Sequence, residues 1–238
     1  MLFYYIRHGD PIYDPDSLTA LGQRQADAVG RRIALHGADR IFASSSNRAR
    51  MTAAPCCEIL KKNMEILDWC NESHAWRQLA MPTDDGGYTW AFSHPVYRNL
   101  FLRQDVRALG RAWYTHPAFE GTMLREGILR IQRHTDAFFA ELGYEHDLEN
   151  NSYRAVRPND DRIALFAHQG FGLAFLSCVL DIPYPLFCTS FDMGHTGLTI
   201  IDFREMYGKV VPCVLTLSGD GHLYAENLPT KYQNLLYI

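Results

Sequence analysis

Three short apolar runs in this chain each end in residues able to grip or attack a phosphoryl group. Residues 2–6 run into Arg7-His8-Gly9, residues 40–43 into Ser44-Ser45-Ser46-Asn47-Arg48, and residues 163–167 into His168-Gln169-Gly170. Arginine presents a planar fork of donors that matches paired phosphate oxygens, and such charge-assisted bonds are stronger than neutral ones. A phosphate monoester carries about −1.5 to −2 charges near neutral pH, so several cationic partners suit it. Within such a pocket a neutral imidazole can attack phosphorus and form a phosphohistidine, which splits one difficult displacement into two easier ones. Charge in the transition state spreads over the equatorial oxygens, where Arg7, Arg48 and a protonated histidine would stabilise it. The departing alkoxide needs a proton, and Glu72, which follows the strand-like residues 65–69, is the candidate general acid.

These side chains have to be brought to one place by the elements that carry them. Apolar runs of four to six residues suit strands buried on both faces of a parallel sheet. Helical stretches follow each run: one over residues 21–35 with Gly37 placed to end it, one over 49–60 despite Pro55, and one over 171–180 that is apolar nearly all round. Alternating strands and helices define an α/β fold, and in open α/β sheets ligands bind beyond the carboxyl ends of the strands. Residues 198–201 and 210–217 read as two further strands, with a turn signal at Ser218-Gly219-Asp220-Gly221. Residues 72–158 differ in texture, being rich in Trp, His and Arg, with clear helical periodicity only over 123–142. The expectation is a three-layer α/β/α sandwich with a mainly parallel sheet. It forms one domain over residues 1–238, in which 72–158 contains a helical, cap-like insertion over the carboxyl edge.

Composition narrows the functional classes. Of the 238 residues 47% are hydrophobic and 21% charged, an ordinary globular balance. A formal net charge of −4 supplies no bulk attraction for nucleic acid or an anionic membrane. The longest apolar runs fall short of a membrane span, and the first residues lack the basic leader and apolar core of a secretory signal. The six cysteines show no CxxC spacing, which with the missing signal points to reduced thiols and a cytoplasmic location. The histidines show no tight metal-ligand spacing, so no metal is expected.

The motifs together resemble the histidine phosphatase (phosphoglycerate mutase-like) superfamily. Arg7-His8-Gly9 resembles its signature, residues 18–26 its helix-opening "LTxxGxxQA" pattern, residues 44–53 its "SxLxRAxxTA" block with Ser46 in place of leucine, and His168-Gln169-Gly170 its late histidine-glycine motif. The resemblance covers residues 1–70 and 160–217. It implies that His8 becomes phosphorylated, that Arg7 and Arg48 hold the phosphoryl group, that His168 stabilises it, and that no metal or organic cofactor takes part. Glu72 matches the glutamate that several branches use as the acid. Gly9, Gln169, His74, Tyr13 and His195 are candidate substrate-binding residues, His74 because it lies two places from Glu72 and His195 because it precedes a strand at a place where the resemblance implies a polar residue facing the pocket. The expected activity is that of a histidine acid phosphatase-type phosphoric monoester hydrolase acting on a small phosphorylated substrate. A phosphoglycerate mutase-like phosphoryl transferase and a non-catalytic phospho-ligand binding module on the same fold are the alternatives.

Overall fold

The apolar runs form the centre of a six-stranded sheet, flanked by helices on both faces. The computed structural model describes residues 1–230. The strands are β1 (Leu2–Arg7), β2 (Arg40–Ser44), β3 (Met64–Leu67), β4 (Arg162–Ala167), β5 (Leu198–Asp202) and β6 (Cys213–Gly219). Their spatial order is β6-β5-β1-β4-β2-β3. Pairing among β1, β4, β2 and β3 is parallel, whereas β5 and β6 add antiparallel, so the sheet is mainly parallel as expected. Register decides what meets at the carboxyl edge. Arg7 lies opposite Ala167 and Ala43 opposite Phe166, which brings His8, His168 and Ser44 to neighbouring positions where the strands end.

One face of the sheet is covered by α1 (Ala20–His36) and α2 (Asn47–Leu60), which bury Val29, Ile33, Ala53 and Cys56 against Tyr4, Ile6, Ile41 and Phe166. Both helices begin at the hydroxyl caps the motifs supply. Thr19 Oγ1 accepts from the Gly22 amide at 3.0 Å and Ser46 Oγ from the Ala49 amide at 3.4 Å, satisfying donors that the first turn leaves open. The opposite face is covered by α4 (Leu124–Glu141) and α5 (Gln169–Val179). Phe138 and Phe139 of α4 meet Phe3 edge-on at 6.1 and 5.2 Å between ring centroids, and every residue of α5 is buried. The three-layer sandwich is therefore as the sequence indicates, with one difference in its parts. Helix α4, read as belonging to an insertion, supplies one of the layers.

The rest of residues 72–158 is placed differently. Helix α3 (Glu72–Leu79) and the hairpin of Ala80–Pro82 with Tyr88–Trp90 stand at the carboxyl edge, followed by the short helices Pro95–Leu102 and Gln104–Ala108. The arginines of this region serve the fold. Arg98 and Arg107 donate to backbone carbonyls, Arg103 pairs with Asp105, and Arg111 with Asp181. The run 210–217 does not form one strand: Lys209–Val210 belongs to a separate small sheet and β6 starts at Cys213, because Pro212 has no N–H to continue a ladder. Among the described residues no helix is long and apolar enough to cross a membrane.

Candidate active site

A cleft of 630 Å³ opens at the carboxyl edge, and its floor holds Arg7, His8, Arg48, Glu72 and Gln169. His168 lies just beneath, fully buried, with its ring centroid 5.3 Å from that of His8. The three strand-end motifs and the start of α3 thus converge on one place.

The backbone around His8 is held by contacts between motifs. The Gly9 amide donates to Thr52 Oγ1 at 3.0 Å, joining the first motif to α2. A Cβ on Gly9 would lie 2.6 Å from the Gly22 carbonyl oxygen, so the glycines of the first two motifs exist to let this loop and α1 touch. His8 Nδ1 lies 2.8 Å from the Gly9 carbonyl oxygen. A carbonyl only accepts, so Nδ1 carries the proton and Nε2 keeps its lone pair. Burial pushes the His8 pKa well below the usual histidine value, and the charges of Arg7 and Arg48 push it further.

Arg7, only 2% exposed, donates from Nη1 to the Met193 carbonyl at 2.5 Å and from Nη2 to His195 Nε2 at 2.8 Å. Arginine cannot accept, so His195 Nε2 is the acceptor there, while its Nδ1 lies 3.5 Å from Asp10 Oδ1. Arg48 is fixed by Asp16 Oδ1 at 2.8 Å and lies 3.6 Å from Glu72 Oε2. Nε of both arginines is buried with no hydrogen-bond partner among the described residues.

His168 Nε2 is 2.7 Å from Ser44 Oγ, and its Nδ1 is 3.3 Å from Arg48 Nη2. The guanidinium donates, so Nδ1 accepts and the ring is neutral. Burial, then His8 and the two arginines, hold its pKa well below the usual value. Its backbone is clamped by Tyr5, whose hydroxyl donates to the His168 carbonyl at 2.5 Å and accepts from its amide at 3.2 Å.

Glu72 reaches the site because α3 is tied to the end of β2. Asn71 caps α3 through the Ser73 amide at 3.0 Å and donates to Ser45 Oγ at 2.8 Å. Glu72 Oε1 then accepts from the Gly170 and Phe171 amides at 2.8 and 3.2 Å, so it caps α5, whose own N-cap residue His168 offers no side-chain bond. Burial raises the Glu72 pKa, against the lowering pull of Arg48 and these amides. His8, Glu72 and His168 each bring one potential ligand atom within 4.8 Å of the others, so these three also have the geometry to hold a small cation.

Of the remaining sequence candidates, Tyr13 and Gln169 line the cleft. Gln169 donates to Asp192, and Tyr13 stacks over the Arg48 guanidinium at 5.4 Å. His195 sits behind Arg7 with its ring 5.8 Å from His8. His74 does not line the cleft. It pairs with Asp68 at 3.0 Å, since residues two apart on a helix point to different sides and His74 lies off the α3 face that carries Glu72. Sequence reasoning missed Asp16, Asn71, Trp76 and Trp90 as lining residues. Trp76 carried a readable signal, because it lies four places after Glu72 and so shares its helix face.

Residues 3–86 match the model of the histidine phosphatase superfamily (branch 1), and the described residues share the fold of solved phosphatase structures. The resemblance read from the motifs therefore holds. Similar solved structures include a mutant phosphoserine phosphatase from Entamoeba histolytica in complex with phosphoserine, at 18% identity and a TM-score of 0.59, covering 93% of this chain and 98% of that one. A mycobacterial glucosyl-3-phosphoglycerate phosphatase complexed with inorganic phosphate is 17% identical over 93% of this chain and 98% of its own, with a TM-score of 0.59. The alpha-ribazole phosphatase from Shigella flexneri is 17% identical over 92% and 97%, with a TM-score of 0.57. No curated protein sequence matches.

Proposed function

We propose that this protein is a phosphoric monoester hydrolase of the histidine acid phosphatase type, working through a phosphohistidine at His8. One observation carries the reading: His8 Nδ1 donates to the Gly9 carbonyl, which leaves Nε2 with its lone pair in a cleft that two arginines also line. In the first step His8 Nε2 bonds to phosphorus, the ester P–O bond breaks, and Glu72 gives its proton to the leaving oxygen. In the second, water attacks phosphorus, Glu72 takes the water's proton, and the N–P bond breaks. Arg7 and Arg48, each with an unspent Nε donor, hold the equatorial oxygens. His168 begins neutral, and the phosphoryl dianion draws its pKa upward so that it joins the arginines as a donor. His195 and Asp10 hold Arg7 in place, and Gln169 and Tyr13 border the substrate. Within the single domain, the cap-like role falls to residues 72–119, since α4 belongs to the sandwich. The six free cysteines, four of them buried, support a cytoplasmic location.

The test is hydrolysis of an aryl phosphate by wild type and His8→Ala, together with capture of an acid-labile phosphoryl group on the protein. Activity that survives a chelator, with label and turnover both lost in the variant, is expected. Equal activity in the two proteins removes His8 as nucleophile. Loss of wild-type activity in the chelator would instead make the His8, Glu72 and His168 cluster a metal centre.

A further inference from the structure

Away from its phosphoryl end the cleft is walled by aromatic rings. Trp76 and Trp90 meet edge-to-face, with centroids 4.9 Å apart at 87°. Trp90 is locked in place, stacked on Phe92 at 5.7 Å and seated so closely over Gly170 that a Cβ there would lie 2.3 Å from Trp90 Cζ2. Trp76 is different: it is 37% exposed, so its ring is open to a ligand rather than absorbed in the core, and Tyr13, with Arg48 against its ring, is 65% exposed at the same cleft. Charge is distributed just as unevenly. Among the described residues lining the cleft, the cationic side chains are Arg7 and Arg48, both at the phosphoryl end, whereas Asp16 and Glu72 are acidic. A second anionic group on a substrate would find those two carboxyl groups and no spare cation. His74 on α3 is paired with Asp68 and does not line the cleft.

Resting on the phosphatase reading above, we infer that the alcohol part of the substrate carries an aromatic ring and no second anionic group. The ring packs on Trp76 and beside Tyr13 while Arg7 and Arg48 hold the phosphoryl group. Aromatic pairs gain from offset or edge-on contact beyond the area they bury, and aromatic surface is favoured where one end of a ligand is apolar and the other wet. A phosphorylated hydroxy acid or amino acid is the opposite kind of ligand, small and without a ring, with a carboxylate beside the phosphoryl group and, in the amino acid, an ammonium as well.

Three alkyl esters with comparable leaving groups separate these cases: 2-phenylethyl phosphate, phosphoserine and 3-phosphoglycerate. The aromatic ester is expected to have the highest kcat/KM, by about tenfold, with the advantage in KM. In Trp76→Ala that advantage shrinks by about the same factor, and in Trp76→Phe it is retained, because a ring is restored. Preference for phosphoserine or 3-phosphoglycerate in the wild type overturns the inference while leaving the phosphatase reading intact. So does a loss in Trp76→Ala that is equal for all three esters. If no ester is turned over and no phosphoryl group is trapped on His8, the phosphatase reading fails and this inference falls with it.

Discussion

His146→Gln should lower stability by an amount that depends strongly on pH. The His146 side chain is 1% exposed, with Nδ1 2.7 Å from Asp136 on α4 and Nε2 3.0 Å from Asp181, just beyond α5. Its ring stacks on Tyr153 at 4.2 Å and 5°, and Arg111 shares Asp181. Burial pulls its pKa down, but the hydrogen bonds and charges of the two aspartates outweigh that and raise it to about 9. A raised folded-state pKa stabilises the protein fully below the unfolded value of about 6.5, and that stabilisation disappears as pH rises through about 9. The gap of about 2.5 units, at 1.36 kcal/mol each, corresponds to about 3 kcal/mol between about pH 6 and pH 10. For a chain of this size that is about 6–12 °C in Tm. Thermal unfolding of both proteins across that range is the assay, and other groups titrating near pH 9 cancel in the difference between the two curves. The wild-type advantage should be largest at about pH 6 and vanish by about pH 10. Curves that stay parallel throughout would refute the imidazolium bridge.

Glu72→Gln is expected to cut hydrolysis of alkyl phosphates by about 10²- to 10⁴-fold, and of p-nitrophenyl phosphate by less, since that leaving group needs little protonation. Because burial lowers the His8 pKa and raises that of Glu72, the nucleophile stays neutral in mild acid while the acid form of Glu72 persists upward. Activity should therefore hold on the acidic side and fall as pH rises, and Glu72→Gln should lose that alkaline limb in a pH–rate profile. In Gly170→Ala the new methyl meets the Trp90 ring, so a loss of about 1–3 kcal/mol in denaturant unfolding is expected. A raised KM for aromatic esters should accompany it, and unchanged stability and KM would show that Trp90 moves aside freely.

The strand-end motifs were legible because an apolar run that stops abruptly at Arg, Ser or His has few other meanings, and parallel register then places their ends together. Helix α4 was legible as a helix from its periodicity, but not its destination. An amphipathic stripe holding Phe138 and Phe139 fits a cap or a sandwich layer equally well until Phe3 is seen against it. His74 shows the limit of spacing as a guide, since two places along a helix is close in sequence but on another side in space, where it meets Asp68. Trp90 could not be assigned to the cleft from composition. It arrives through the hairpin that pairs Ala80 with Trp90, a pairing that sequence spacing alone does not announce.

Helix α3 carries both Glu72 and Trp76, four residues apart on one side of eight residues of chain. On the readings above, the proton donor and the wall that selects the alcohol are therefore inherited together. An exchange of this segment between related proteins would transplant selectivity and catalytic acid in a single event. Glu72 also caps α5, so any replacement segment must bring an acceptor oxygen to the same spot or leave two buried amides of the recipient without partners. That requirement restricts which cap segments this scaffold can adopt, and ties the diversification of its substrates to the preservation of one acceptor side chain.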